Sequence, residues 1–285
     1  RRVRVMGGPQ RQHAVGGWLQ FVLLLTVACG AGGCAARRPT LPSGSGTPFP
    51  EFREAFMQAT ADCRAMKTLV AELRLSGRAG GRRLRGRVLA GFSDPGAVRL
   101  EGLAPFGAPA FILVAEPGRA ALLLPRESRV LVDAPADEVV HALAGVAMTA
   151  DELRHVLSAC LPASVDPTIG RAYGSDWWGI ETSDGGLVYL RRAGDARRIA
   201  AVRRAGWLSE YSEWSGRLPG RLRLTSLTPI VEAVDLTVTL SQVRINTTLA
   251  PATFAVDIPP DAVPMTLDEL KALAPLADSA SASSG

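Results

Sequence analysis

Histidine, cysteine and lysine are scarce in this chain. Its 285 residues include three His and four Cys. Lys67 and Lys271 are its only lysines, and every other basic side chain is Arg. Three imidazoles (His13, His141 and His155) are few for an enzyme built on imidazole chemistry. Four Cys are too few for a disulfide scaffold. No Gly-x-Ser-x-Gly elbow, Walker A loop, dinucleotide fingerprint or zinc spacing occurs, so no enzymatic activity and no cofactor are expected. No repeat of solenoid period is visible. What the chain has in quantity is apolar: 47% hydrophobic against 21% charged residues, close to the globular average. That excludes wholesale disorder and supplies ample core material for one large domain or two small ones.

Acidic residues are absent before Glu51, whereas Arg1, Arg2, Arg4 and Arg11 all precede the first apolar run. That run, residues 18–28 (WLQFVLLLTVA), is too short for a membrane-crossing helix, which needs about 20 residues. It suits the apolar region of a secretory signal. A start at Met6 would leave Arg11 as the basic flank. Small residues then precede two cysteines, Thr26-Val27-Ala28-Cys29 and Ala31-Gly32-Gly33-Cys34. Both are similar to a bacterial lipobox, where the Cys is cleaved to and acylated, although neither has Leu three residues before the Cys. Cys34 is the preferred anchor and Cys29 the alternative; an ordinary secretory signal with incidental cysteines is the other reading. The expected organisation is a lipoprotein signal peptide at 1–33, a lipid anchor and flexible Pro/Gly/Ser linker at 34–50, a folded domain at 51–275 and a disordered tail at 276–285. The formal charge of +5 and pI of about 9.4 raise the question of nucleic acid. Processing at Cys34 removes four arginines from the 32 basic residues, leaving 28 against 27 acidic ones. No nucleic-acid partner is therefore expected.

The body begins with helical spacing of apolar residues at Phe52, Ala55, Phe56, Ala59, Cys63 and Met66, which predicts one helix over 52–67. Period-two alternation follows at 69–76, 98–101, 221–224 and 234–241, the pattern of antiparallel strands with one wet face. Further strands are predicted at 82–92, 110–115, 120–124, 129–132, 178–182, 187–191, 198–203, 208–214 and 252–258. Short helices are predicted at 135–144, 149–159 and 266–274, with Thr149 and Thr266 as caps. The fold class is mainly β (α+β): a curved antiparallel sheet of about eleven strands forming an incomplete barrel, with a short-helix lid over a hydrophobic cavity. Inward positions of the alternating strands, Leu73, Leu75, Leu100, Leu113, Leu222, Leu224, Leu236 and Val238, are the candidate lining.

Several short motifs, taken in order, carry a family resemblance. Arg99-Leu100-Glu101-Gly102-Leu103-Ala104-Pro105-Phe106-Gly107 runs into Ala110-Phe111-Ile112-Leu113. A two-helix insert spans Ala136-Asp137-Glu138 to Leu143-Ala144-Gly145 and Leu153 to Leu161-Pro162. Trp177-Trp178-Gly179 and a strand from Leu218-Pro219 to Leu224 follow. Over roughly residues 69–245 this order resembles LolB, the outer-membrane lipoprotein receptor of the LolA–LolB-like lipoprotein-sorting family. The resemblance implies a cavity that takes acyl chains of lipoprotein clients from a periplasmic carrier and delivers them to outer-membrane lipid. It implies a protein lipid-anchored in the inner leaflet of the outer membrane and facing the periplasm, expected to act as a monomer. The family's exposed apolar loop residue, implicated in membrane delivery, falls on Phe106 within Pro105-Phe106-Gly107; this chain has Phe there rather than Leu. Packing of Phe106 into the core is the alternative. Extra sequence after Ile245 and two body cysteines also depart from the pattern. They leave open a structural or regulatory envelope lipoprotein of the same fold that binds a protein, glycan or lipid.

An oxidising periplasm favours a Cys63–Cys160 disulfide tying the first helix to the lid, with two free thiols as the alternative. Glu138-x-x-His141 and Glu152-x-x-His155 have the spacing used in di-iron bundles. Such a site needs four long helices, so solvated lid faces are expected and no metal. The Arg pairs at 82–83, 191–192, 197–198 and 203–204 read as solvated strand ends. Asn246-Thr247-Thr248 matches a glycosylation acceptor by chance.

Overall fold

Alternation of apolar and polar side chains builds one large sheet. The computed structural model describes residues 40–228 and 233–277. Within them the strands are β1 (Thr47–Pro48), β2 (Thr68–Ala79), β3 (Arg82–Ser93), β4 (Ala97–Leu103), β5 (Phe111–Glu116), β6 (Arg119–Leu124), β7 (Arg129–Ala134), β8 (Pro167–Tyr173), β9 (Trp177–Thr182), β10 (Leu187–Ala193), β11 (Ala196–Arg204), β12 (Trp207–Ser215), β13 (Leu218–Ser226), β14 (Asp235–Ile245) and β15 (Val263–Pro264). The helices are α1 (Phe52–Ala59), α2 (Ala61–Ala65), α3 (Ala136–Ala144), α4 (Ala150–Ser158) and α5 (Leu267–Leu273). The strand order is β1-β8-β9-β10-β11-β12-β13-β14-β2-β3-β4-β5-β6-β7-β15. Two antiparallel meanders, β2–β7 and β8–β14, are thus joined where β14 pairs with β2. Among the described residues only β15 pairs in parallel, on the β7 edge.

The sheet is open and curved, an incomplete barrel. α4 touches both β13 and β4. Those strands lie four steps apart in the sheet, about 19 Å if it were flat. A helix is only about 10–12 Å across with its side chains, so one helix reaches both strands because the sheet wraps round it. Apolar side chains fill the concave side as one continuous cluster.

Several expectations shift. The count is fifteen strands rather than about eleven. β8 is not legible in sequence because its pattern of exposure does not alternate. Residues 252–258 form no strand; Pro251–Phe254 makes a 3-10 turn. The first helix breaks in two at Thr60, whose hydroxyl donates to the Phe56 carbonyl at 2.8 Å, a back-bond that competes with helix continuation. The packed domain is longer at both ends. Thr47–Pro48 pairs with β8 inside the presumed linker, and the buried Phe49 ring lies 6.1 Å from that of Trp178. At the far end Leu276 is buried, and its carbonyl accepts from the Arg85 amide at 3.2 Å.

The helix caps follow from sequence. Thr149 Oγ1 accepts from the Glu152 amide at 3.3 Å, and the Glu152 carboxylate accepts from the Thr149 amide at 2.9 Å. Thr266 and Glu269 repeat the arrangement at α5. Gly145 ends α3 at φ 68°, where a Cβ would meet Gly80 N at 2.9 Å. No helix among the described residues is long and apolar enough to cross a membrane.

Candidate functional site

Register brings the candidate lining together. Leu222 stands opposite Val238, which stands opposite Leu75; Leu224 stands opposite Leu236. Leu73 and Leu100 extend the row along β2 and β4. These seven residues face a cavity of about 90 Å³ between sheet and helices, and every side chain lining it is apolar. The eighth candidate, Leu113, does not line it. Leu113 is 0% exposed within the packed core, on the strand next to β6, against which α3 packs.

The lid supplies the other wall: Val140 and Leu143 from α3, Met148 from the connection, and Leu153, Val156 and Leu157 from α4. Their spacing of three and four residues is legible in sequence, although the sequence reading drew the lining from strands alone. Leu276, assigned to the disordered tail, also lines the cavity.

The two helices of the lid are held differently. Cys63 and Cys160 form a disulfide, with Cα atoms 5.4 Å apart, just beyond the end of α4. The largely buried Arg154 side chain adds to it, donating to the Met66 carbonyl at 3.3 Å and to Asp151 at 3.1 Å. α3 instead packs against α5 and β6 without a covalent tie.

A second cavity of about 120 Å³ adjoins the first; Met148 and Val156 line both. Glu152, His155, Arg204 and Ser209 are among its walls. His155 therefore lines a pocket rather than a solvated lid face. Burial, with Arg154 nearby, pushes its pKa below the ordinary histidine value. Among the described residues no three His, Cys, Asp or Glu side chains gather as a metal site would require.

The Pro105-Phe106-Gly107 segment lies between β4 and β5. Phe106 is 88% exposed, and Gly107 turns the chain at φ 77°. Arg126 braces the loop, donating to the Phe106 carbonyl and, at 3.1 Å, to the Ala108 carbonyl. Cys34 and Cys29 lie outside the described residues. The Asn246 amide is committed to packing, accepting from Lys67 N at 2.8 Å and donating to Ala65 O at 2.9 Å.

Several Arg pairs are not simply solvated. Arg197 lies 4.5 Å from the Trp178 ring centre and 5.4 Å from that of Phe49. Arg191 stacks on Trp177, Arg192 on Trp178 and Arg198 on Trp214. Arg204 pairs with Asp184.

No family model and no curated protein matches the chain. Solved structures give distant likenesses. A DUF1329 family protein from Desulfovibrio piger has a TM-score of 0.46 at 12% identity, covering 73% of this chain and 98% of its own. A LolA superfamily protein from Nitrosomonas europaea has a TM-score of 0.44 at 10% identity, covering 67% and 90%. The lipoprotein LppX from Mycobacterium tuberculosis has a TM-score of 0.32 at 8% identity, covering 70% and 98%. Likenesses this distant leave the function to the geometry of the site.

Proposed function

We propose that this protein is a lipid-anchored envelope receptor that takes an acyl chain of a lipoprotein into its apolar cavity and passes it to the outer membrane. The observation that carries the reading is a cavity with wholly apolar walls between a concave sheet and a two-helix lid. Such walls offer a hydrocarbon about 0.8 kcal/mol per buried CH₂ and offer a polar ligand nothing. The space as it stands, about 90 Å³, is smaller than the roughly 150 Å³ of an apolar cavity that holds benzene. A whole acyl chain therefore needs the lid to move. The disulfide fixes the lid beyond α4, so opening occurs at α3, whose contacts are non-covalent.

Delivery belongs to the Phe106 tip, an apolar ring held out on a braced loop. Pairing of Arg87 with Leu103 places the start of β3 at the same end of the sheet as this loop. The exposed Arg78, Arg83 and Arg85 lie there, suited to anionic headgroups. The leader and the Cys34 lipobox support attachment to the membrane.

Depletion of the protein followed by envelope fractionation tests the role. Acylated proteins should accumulate in the periplasm or inner membrane; normal sorting would rule out the receptor. Phe106→Glu tests the tip. Client uptake should persist while transfer to vesicles fails, with thermal stability unchanged because the side chain is already in water. Unchanged transfer would remove the tip from the mechanism.

A further inference from the structure

The second cavity beside the lid sets four polar side chains, Glu152, His155, Arg204 and Ser209, among otherwise apolar walls, and it shares Met148 and Val156 with the wholly apolar cavity. We infer that it seats the uncharged polar head of an acyl lipid whose tail occupies the apolar cavity. The ligand class is then an ester- or amide-linked acyl chain, not a free fatty-acid anion. This rests on the acyl-chain reading and adds the chemistry of the head.

The charged groups of the pocket already have partners. The Arg204 guanidinium is paired with Asp184. The Glu152 carboxylate accepts from the amide and hydroxyl of Thr149 at 2.9 and 3.1 Å, closing the cap of α4. His155 is kept neutral near pH 7 by burial and by neighbouring Arg154 and Arg204. A carboxylate head would lose water here, compete with Asp184 for Arg204 and face the Glu152 carboxylate, and a poorly paired buried charge is costly. An ester, amide or glycerol hydroxyl carries no such penalty. With its N–H engaged by the Asp151 backbone carbonyl, the neutral imidazole keeps its other nitrogen to accept from a glycerol hydroxyl or an amide N–H. The half-buried Val156 is the gate between head and tail: it follows His155 in the chain and lines both spaces. The Glu152-x-x-His155 spacing thus gains a role that needs no metal. The Glu caps the helix, and the His, one turn on, meets the ligand.

The test compares two lipids of one chain length, 1-monomyristoylglycerol and myristate, titrated at pH 8 into the full chain below their micellar concentrations. The glycerol ester should bind about tenfold tighter or better, the equivalent of one hydrogen bond and an avoided charge burial. His155→Leu should reduce that preference severalfold while leaving myristate affinity within about twofold. His155→Gln, which keeps a donor and an acceptor, should retain most of it. Equal binding of the two lipids, tighter myristate binding, or equal losses for both in His155→Leu would overturn the head assignment and leave the acyl cavity standing. Binding of neither lipid would overturn the acyl-chain reading itself, and this inference with it. The preference of the unmodified chain is a readout that no folding defect in a variant can mask.

Discussion

At the scale of single residues, close packing and charge placement set limits that can be measured. A Cβ on Gly102 would sit 2.3 Å from the Phe111 ring, and Phe111 is a wall of the cavity. Gly102→Ala should therefore destabilise the domain by about 1–3 kcal/mol, read as a lower denaturation midpoint with an unchanged slope. His155 gives a pH signature. Its folded pKa lies below its unfolded value, chiefly because burial penalises the charged ring. The unfolded chain then binds the proton more readily, so stability falls as pH drops from about 6.5 toward the lowered folded value. Thermal melts between pH 7.5 and 5.5 should show that slope, and His155→Gln should flatten it. The lining residues Leu73, Leu75, Leu222, Leu224, Leu236 and Val238 were legible in sequence because period two fixes which side of a strand faces inward. The stacked arginines were not. Arg197 meets Phe49 across 148 positions of chain, and only the fold brings them together. Leu276 was hidden by its neighbours: a Ser- and Ala-rich stretch reads as tail even when one Leu in it is buried.

At the scale of elements, the helices of the lid are the working parts. Capping boxes at Thr149 and Thr266 fix where α4 and α5 begin, and both were visible as Thr followed three residues later by Glu. What covers the cavity was legible only in part. The helical spacing of Val140 and Leu143, and of Leu153, Val156 and Leu157, showed an apolar face but not what it faces. The disulfide ties α4 to the chain's opening helices across a separation of 97 residues. Reduction, or Cys63→Ser with Cys160→Ser, should lower stability by about 2–4 kcal/mol, measured by denaturant unfolding with and without reductant. It should also speed exchange of α4 amides relative to those of β2 and β3. A uniform change across the domain would show that the bond does not hold the lid in particular. The β2–β3 hairpin carries a different strain. Arg78 faces Arg83, and Arg74 faces Arg87, in direct register; like charges so placed repel. Glu72 relieves the second of these pairs, hydrogen-bonding Arg87 at 2.8 Å and attracting Arg74. Such a face is suited to an anionic surface, and vesicle binding through it should weaken as salt rises.

At the scale of the whole molecule, fifteen strands bend round a short helical lid and leave an apolar space in the middle. The wrapped sheet was legible as a class, because one-sided strands in such number must cover their apolar face. The size of the space was not, since cavity volume depends on side-chain packing across elements distant in sequence. The central claim is that this space admits an acyl chain. The direct measurement is titration of a fluorescent long-chain acyl probe into the full chain and into Ala144→Phe, which projects a ring into the cavity from α3. The account predicts saturable one-to-one binding by the unmodified chain. Affinity should fall at least about tenfold in the variant, with the loss of several buried CH₂ contacts, while thermal unfolding stays within a few degrees. No saturable binding, or equal binding by the two proteins, would contradict it.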